Sequence, residues 1–132
     1  MISTRGRYAL RVMIDLAMNQ GEGYVPMKDV AARQELSLKY LEQILPALTR
    51  NKLVEGIQGK GGGYRLTREP KDYKIGEILR VTEKDLAPVS CLAENAPECE
   101  RRQQCRTIDF WQGLNDVVND YLDKSTLADL IK

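Results

Sequence analysis

The chain contains no histidine among its 132 residues. That removes the side chain most often used as a general base, and the nitrogen ligand of most mixed zinc sites. It also lacks any apolar run near the roughly 20 residues needed to cross a bilayer. The N-terminal stretch MISTRGRYALRVMIDLA joins charge to apolar residues, but Asp15 interrupts the apolar part and no small-residue cleavage site follows. It is therefore not read as a signal peptide, and a cytoplasmic protein with no membrane partner is expected. Thiols stay reduced in that compartment. Cysteines number three, an odd count that argues against a closed disulfide framework. A phosphate-cradling loop is missing too. In QGKGGGY the lysine precedes the glycines and a strand pattern follows, whereas a P-loop needs G-x-x-x-x-G-K-S/T between strand and helix. With no paired carboxylates set beside a nucleophile, an enzyme is not expected.

What is present suits a folded chain: 42% apolar and 30% charged residues. The net charge of +1 hides an asymmetry. Residues 1–70 carry 11 Lys/Arg against 7 Asp/Glu, a balance of +4, and residues 71–132 carry 9 against 12, a balance of −3. A basic front half joined to an acidic back half suits a nucleic-acid-binding module attached to a different one.

Periodicity places the elements. Tyr8, Val12 and Leu16, flanked by Ala9, Met13 and Ala17, predict a helix capped by Ser3 or Thr4 that stops before NQGEG. MKDVAARQE after Pro26 predicts a short helix, and Ser37 is a natural N-cap for LKYLEQIL. Two short helices joined by a tight turn make a helix-turn-helix, although this turn has no glycine. Pro46 predicts a kink or break between Glu42 and Ala47. Leu53, Val54 and Ile57 lead into the run Gly59–Gly63, and Tyr64, Leu66 and Thr67 lead out, which predicts a hairpin with an extended loop. A helix-turn-helix followed by a hairpin is a winged helix. KIGEILRVTE reads as a further helix with Ile75, Ile78, Leu79 and Thr82 inward. Ile108, Trp111, Leu114, Val118, Tyr121 and Leu122 predict a long helix over 106–123, and STLADLIK a short one capped by Thr126 with Asp129 three residues on.

Such a recognition helix reads base edges from its N-terminal residues, here Lys39, Tyr40, Glu42 and Gln43 behind the Ser37 cap. Gln43 can pair with adenine, Glu42 can accept from a cytosine amino group, and Lys39 can reach guanine or phosphate. Gln58 and Lys60 stand in the wing, where glycines let the backbone approach DNA. Arg5, Arg7 and Arg11 line the start of the first helix and suit phosphate, Arg5 and Arg7 best, with solvation the alternative for Arg11.

All three cysteines fall in CLAENAPECERRQQC, at C-x7-C-x5-C spacing. Zinc usually takes four ligands with closer cysteine pairs. Iron–sulfur clusters are held mainly by thiolates in irregular loops. A polar loop rich in Glu, Arg and Gln does not bury its thiols.

Taken with STRGRYALRVMIDLA, LSLKYLEQIL, KLVEGIQGKGGGYRL, IGEILRVTE and DFWQGLNDVVNDYLDKSTLADL, this loop makes nearly the whole chain resemble the iron–sulfur-cluster-sensing winged-helix regulators of bacteria. This IscR-like group includes nitric-oxide- and iron-responsive members. The resemblance implies a mainly α fold with a winged helix-turn-helix over residues 1–85, a cluster loop over 86–105, and a dimerisation helix with a short C-terminal helix over 106–132. It implies a homodimer on a palindromic double-stranded DNA operator, Cys91, Cys99 and Cys105 as ligands of a 2Fe–2S or 4Fe–4S cluster, and Ile108, Trp111, Leu114, Val118 and Tyr121 at the dimer seam.

Three departures from the family pattern stand out. Gln58 occupies the place where relatives often carry a minor-groove arginine. Ile108 stands where cluster-biogenesis members keep a fourth-ligand histidine, and Arg7 where nitric-oxide sensors keep a fourth-ligand aspartate. Asp109, Glu94, Glu98, Glu100, a partner carboxylate, water or a small thiol are the alternatives. A zinc site, a thiol redox switch and a protein-interaction module also stay open.

Overall fold

The computed structural model describes residues 2–132. Helix α1 spans Thr4–Asn19 and begins where the Ser3 hydroxyl accepts from the Gly6 N–H. Ala9, Val12, Met13 and Leu16 form its buried stripe, and Asp15 is buried among them. A buried carboxylate needs partners. Arg33 supplies two bonds, at 3.0 and 2.7 Å, and the Gln34 amide a third at 3.0 Å. Those bonds pin α2, Met27–Gln34, across α1.

The glycine missing from the turn is replaced by Glu35 in the left-handed conformation, φ 54°. The Leu36 N–H then reaches back to the Ala31 carbonyl at 3.0 Å, closing the helix end. Helix α3, Leu38–Arg50, starts at Ser37, whose hydroxyl accepts from the Tyr40 N–H at 3.2 Å. No break occurs at Pro46; α3 runs through it. Pro46 sits on the exposed side, while Leu41, Ile44, Leu45 and Leu48 are buried before and after it. Burying each such side chain is worth about 1.5–3 kcal/mol, against about 3 kcal/mol for the proline. The sum favours one helix.

Strands β1, Val54–Ile57, and β2, Gly63–Leu66, pair antiparallel with Val54 opposite Leu66 and Ile57 opposite Gly63. Val25 adds a bridge to Tyr64, with bonds of 2.8 and 2.9 Å. Gly63 is required there, since a Cβ would collide with the Val25 carbonyl. Tyr73, fully buried, ties the wing base: its hydroxyl donates to the Leu53 carbonyl at 2.7 Å and accepts from the Thr67 and Arg68 N–H groups.

Helix α4, Ile75–Thr82, buries Ile75, Ile78, Leu79 and Thr82 as expected. After the cysteine segment comes α5, Ile108–Lys124, and then α6, Leu127–Leu130, with a Thr126–Asp129 capping box. Leu127 is fully buried in the main core, so the C-terminus folds back under α1 and the wing base. The fold is mainly helical with one two-stranded sheet, a winged helix. No helix among the described residues is long and apolar enough to cross a membrane.

Candidate nucleic-acid interface and cysteine loop

Helix α3 divides its residues, with the exposed Leu38 at its start as the exception. Its apolar side is buried, and Lys39, Glu42 and Gln43 are exposed on the other. Ser37 is exposed with its hydroxyl engaged in the cap. Tyr40 is half-buried and meets Tyr8 edge to face, with ring centroids 5.3 Å apart, so it braces α3 on α1 as well as bordering the reading face.

Gln58 and Lys60 are exposed in the wing. Gly59 at φ 93° and Gly61 at φ 80° permit the tip, which the Gly62 N–H to Gly59 carbonyl bond closes at 2.9 Å. Arg5 and Arg7 are exposed on the first turn of α1. Arg11 is neither free for phosphate nor solvated. Half-buried over the Tyr8 ring, it donates to the Gln34 side chain at 3.1 Å and to the Gln34 carbonyl. It holds the end of α2.

The segment between α4 and α5 contains only single helical turns, at Ser90–Leu92 and Arg102–Gln104. All three thiols are free; Cys99 is exposed and Cys91 and Cys105 are half-buried. The Thr107 hydroxyl, 3.5 Å from Cys105 Sγ, holds that thiol below the usual thiol range. The Thr107 N–H adds to it, burial opposes it, and the Ile108 N–H and the charge of Arg101 contribute less. Among the described residues no three Cys, Asp or Glu side chains converge into a group that could hold a metal. Free thiols are apt donors for iron in kind, and nothing longer than a single turn fixes their mutual positions.

Helix α5 has no fully buried residue. Of the expected seam, Ile108, Trp111 and Val118 are half-buried, whereas Leu114 and Tyr121 are exposed. The structure adds Phe110, 65% exposed, and Val117, 65% exposed. Phe110, Leu114, Val117 and Tyr121 repeat at helical spacing and make one outward face. That repeat is visible in the sequence, where it overlaps the stripe centred on Ile108 and Trp111.

A helix-turn-helix with an exposed polar reading face, a glycine-tipped wing and flanking arginines define a DNA-binding transcriptional regulator of the winged-helix class. Comparison with known proteins makes the assignment specific. The chain belongs to the Rrf2 family, described as iron-dependent transcriptional regulators, whose model matches residues 2–132. It is 33% identical over 130 residues to the HTH-type transcriptional regulator IscR of Pectobacterium atrosepticum, covering 98% of this chain and 78% of that one. Among solved structures it is similar to CymR, the global cysteine regulator of B. subtilis, at 39% identity and TM-score 0.80, covering 99% and 95% of the two chains. It is also similar to T. potens IscR, at 36% identity and TM-score 0.75, covering 99% and 85%.

Proposed function

We propose that the chain is a homodimeric regulator that binds a palindromic DNA operator in the cytoplasm. In this reading an iron–sulfur cluster on Cys91, Cys99 and Cys105 controls that binding. The observation that carries DNA reading is the division of α3: four apolar residues buried on one side, with Lys39, Glu42 and Gln43 exposed on the other. In a major groove, Gln43 and Glu42 face base edges. Arg5, Arg7 and Lys60 meet phosphates on either side of that helix, and Gln58 takes the wing position next to the groove. Two reading helices one or more DNA turns apart require a second subunit, and the outward face of α5 supports one.

When bound, a cluster supplies a group whose gain or loss follows iron supply and oxidants. Thr107 and Arg101 favour the thiolate form of Cys105, the form that binds metal. Glu94, Glu98, Glu100 and Asp109 are the carboxylates nearest in sequence for a fourth position, which Ile108 cannot fill.

A selected operator separates the reading roles. Gln43→Ala should relax sequence preference at one base pair, and Lys39→Ala should weaken binding uniformly and flatten the salt dependence. No binding of the parent to any duplex at low salt would sink the assignment. Anaerobic reconstitution with iron and sulfide tests the ligand set. Uptake by the three single Cys→Ala variants equal to the parent's would remove the cysteines from the site. The lowered Cys105 thiol also favours a second reading, a thiol switch without metal. Metal analysis of anaerobically purified protein distinguishes the two.

A further inference from the structure

On the stretch after α4, two carboxylates two residues apart bond to different parts of the molecule. Glu83 Oε1 accepts from the Ser3 N–H at 2.8 Å and from the Ser3 hydroxyl at 2.9 Å. Ser3 is the cap of α1. The seat for this carboxylate is built: Gly6 is buried, and a Cβ there would collide with Glu83. Lys84 lines an open cleft of 620 Å³ together with Thr4, Arg5 and Tyr40. Glu83 and Asp85 border the same cleft, but the Asp85 carboxylate is engaged by the loop. Its Oδ1 accepts from the Ala87 N–H at 2.7 Å and its Oδ2 from the Glu94 N–H at 3.2 Å, three residues beyond Cys91.

The start of α1 and the start of the cysteine loop are thus tied to carboxylates two residues apart on one short stretch. Arg5 and Arg7 ride on the turn that Glu83 holds. A rotation of residues 83–85 that follows the loop must strain or break the Ser3 bonds.

We propose that Glu83–Asp85 is the joint through which the conformation of the cysteine loop sets the first turn of α1 against DNA, with Glu83 as its positioning residue. The joint rests on the reading that Arg5 and Arg7 face DNA, and it holds whatever the thiols bind. Linkage supplies its signature: if the loop biases DNA affinity, DNA biases the loop by the same factor.

The test uses the freshly reduced full chain, a duplex selected from a random pool on the parent, and the rate of N-ethylmaleimide alkylation at Cys91, Cys99 and Cys105. In the parent, duplex should change the rate at Cys91 by about fivefold, the low end of ordinary coupling between sites. Glu83→Gln keeps an acceptor oxygen for Ser3 and should retain the effect. Glu83→Ala, Asp85→Ala and Gly6→Ala, which break the joint from three directions, should each lose it while still binding the duplex. Persistence of the full effect in Glu83→Ala and Gly6→Ala, as simple shielding by DNA would give, overturns the joint. So does a parent whose alkylation ignores a duplex that it binds. A parent that binds no duplex at low salt overturns the DNA reading instead.

Discussion

Helices α3 and α5 are built to opposite plans. The 13 residues of α3 include four that are buried, and the 17 residues of α5 include none. Around α3 the chain supplies every partner it needs: Asp15 holds α2 through Arg33 and Gln34, Arg11 holds the end of α2, and Tyr73 holds the wing. Helix α5 is attached near its C-terminal end. Arg80 bonds Asp123 and Asn119, and Leu122 packs near Ile75, Leu79 and Leu86. Single exposed apolar residues are ordinary, but four at helical spacing on one face form a patch. The winged helix is packed within one chain, whereas α5 leaves an apolar face open. The cysteine loop lies between the two, where a change in its shape has both a rigid body and an open face to act upon.

The sharpest way to break this contrast is to charge the open face. Leu114→Asp combined with Tyr121→Asp should raise the dimer dissociation constant by about a hundredfold or more, near 3 kcal/mol. Sedimentation velocity checks it, and the far-ultraviolet spectrum of the resulting monomer should stay helical. Loss of the fold instead would mean that α5 is part of a single-chain core. Next in size comes the opposite region. Asp15→Ala removes the acceptor of Arg33 and Gln34 and should cost about 2–3 kcal/mol in denaturant unfolding, moderated because Arg33 reaches solvent. A cost below a few tenths would show that α2 is held by its apolar contacts alone. Tyr73→Phe follows at about 1–2 kcal/mol, by leaving the Leu53 carbonyl and two wing N–H groups short of partners. Faster amide exchange at Thr67 and Arg68 is its local signature.

The same division governs what the sequence discloses. Local chemistry was legible: Ser3, Ser37 and Thr126 cap their helices, and the glycine run makes the wing, because each depends on residues a few positions apart. The exposed positions of α3 followed from one strong period. Interactions across long separations were not legible. Asp15 reads as a break in an apolar run until Arg33 arrives 18 residues later, and Arg11 reads as free for phosphate or solvent until Gln34 does. Glu83 meets Ser3 across 80 residues, with no local pattern to announce it. The break expected at Pro46 is absent because burial on both sides of it, a tertiary quantity, holds α3 together. The outward face of α5 was half seen, since two overlapping stripes share Leu114 and Tyr121. The three cysteines are plain in the sequence, but their mutual placement depends on a loop with almost no repeating structure, and among the described residues they form no metal-holding group.

The smallest effect concerns the polar tether of α5 to the reader. Arg80 holds the Asp123 carboxyl below the usual carboxylate range, chiefly by a direct hydrogen bond and also by charge, and Lys74 adds to it. A carboxylate with a depressed folded value stabilises the fold above its unfolded value, near pH 4, and loses that contribution as pH falls through the lower folded value. Both partners are about 40% exposed, so solvent screening limits the pair to about 0.2–1 kcal/mol. Asp123→Asn should therefore unfold slightly more easily than the parent by an amount constant from pH 7 to pH 5. The gap should close below about pH 4, where the parent's own carboxylate takes up its proton. High salt should narrow it at every pH. A gap that widens on acidification would mean that Asp123 is held by something other than the Arg80 charge. The contrast between a tightly held reader and a loosely tethered α5 would then need a second anchor.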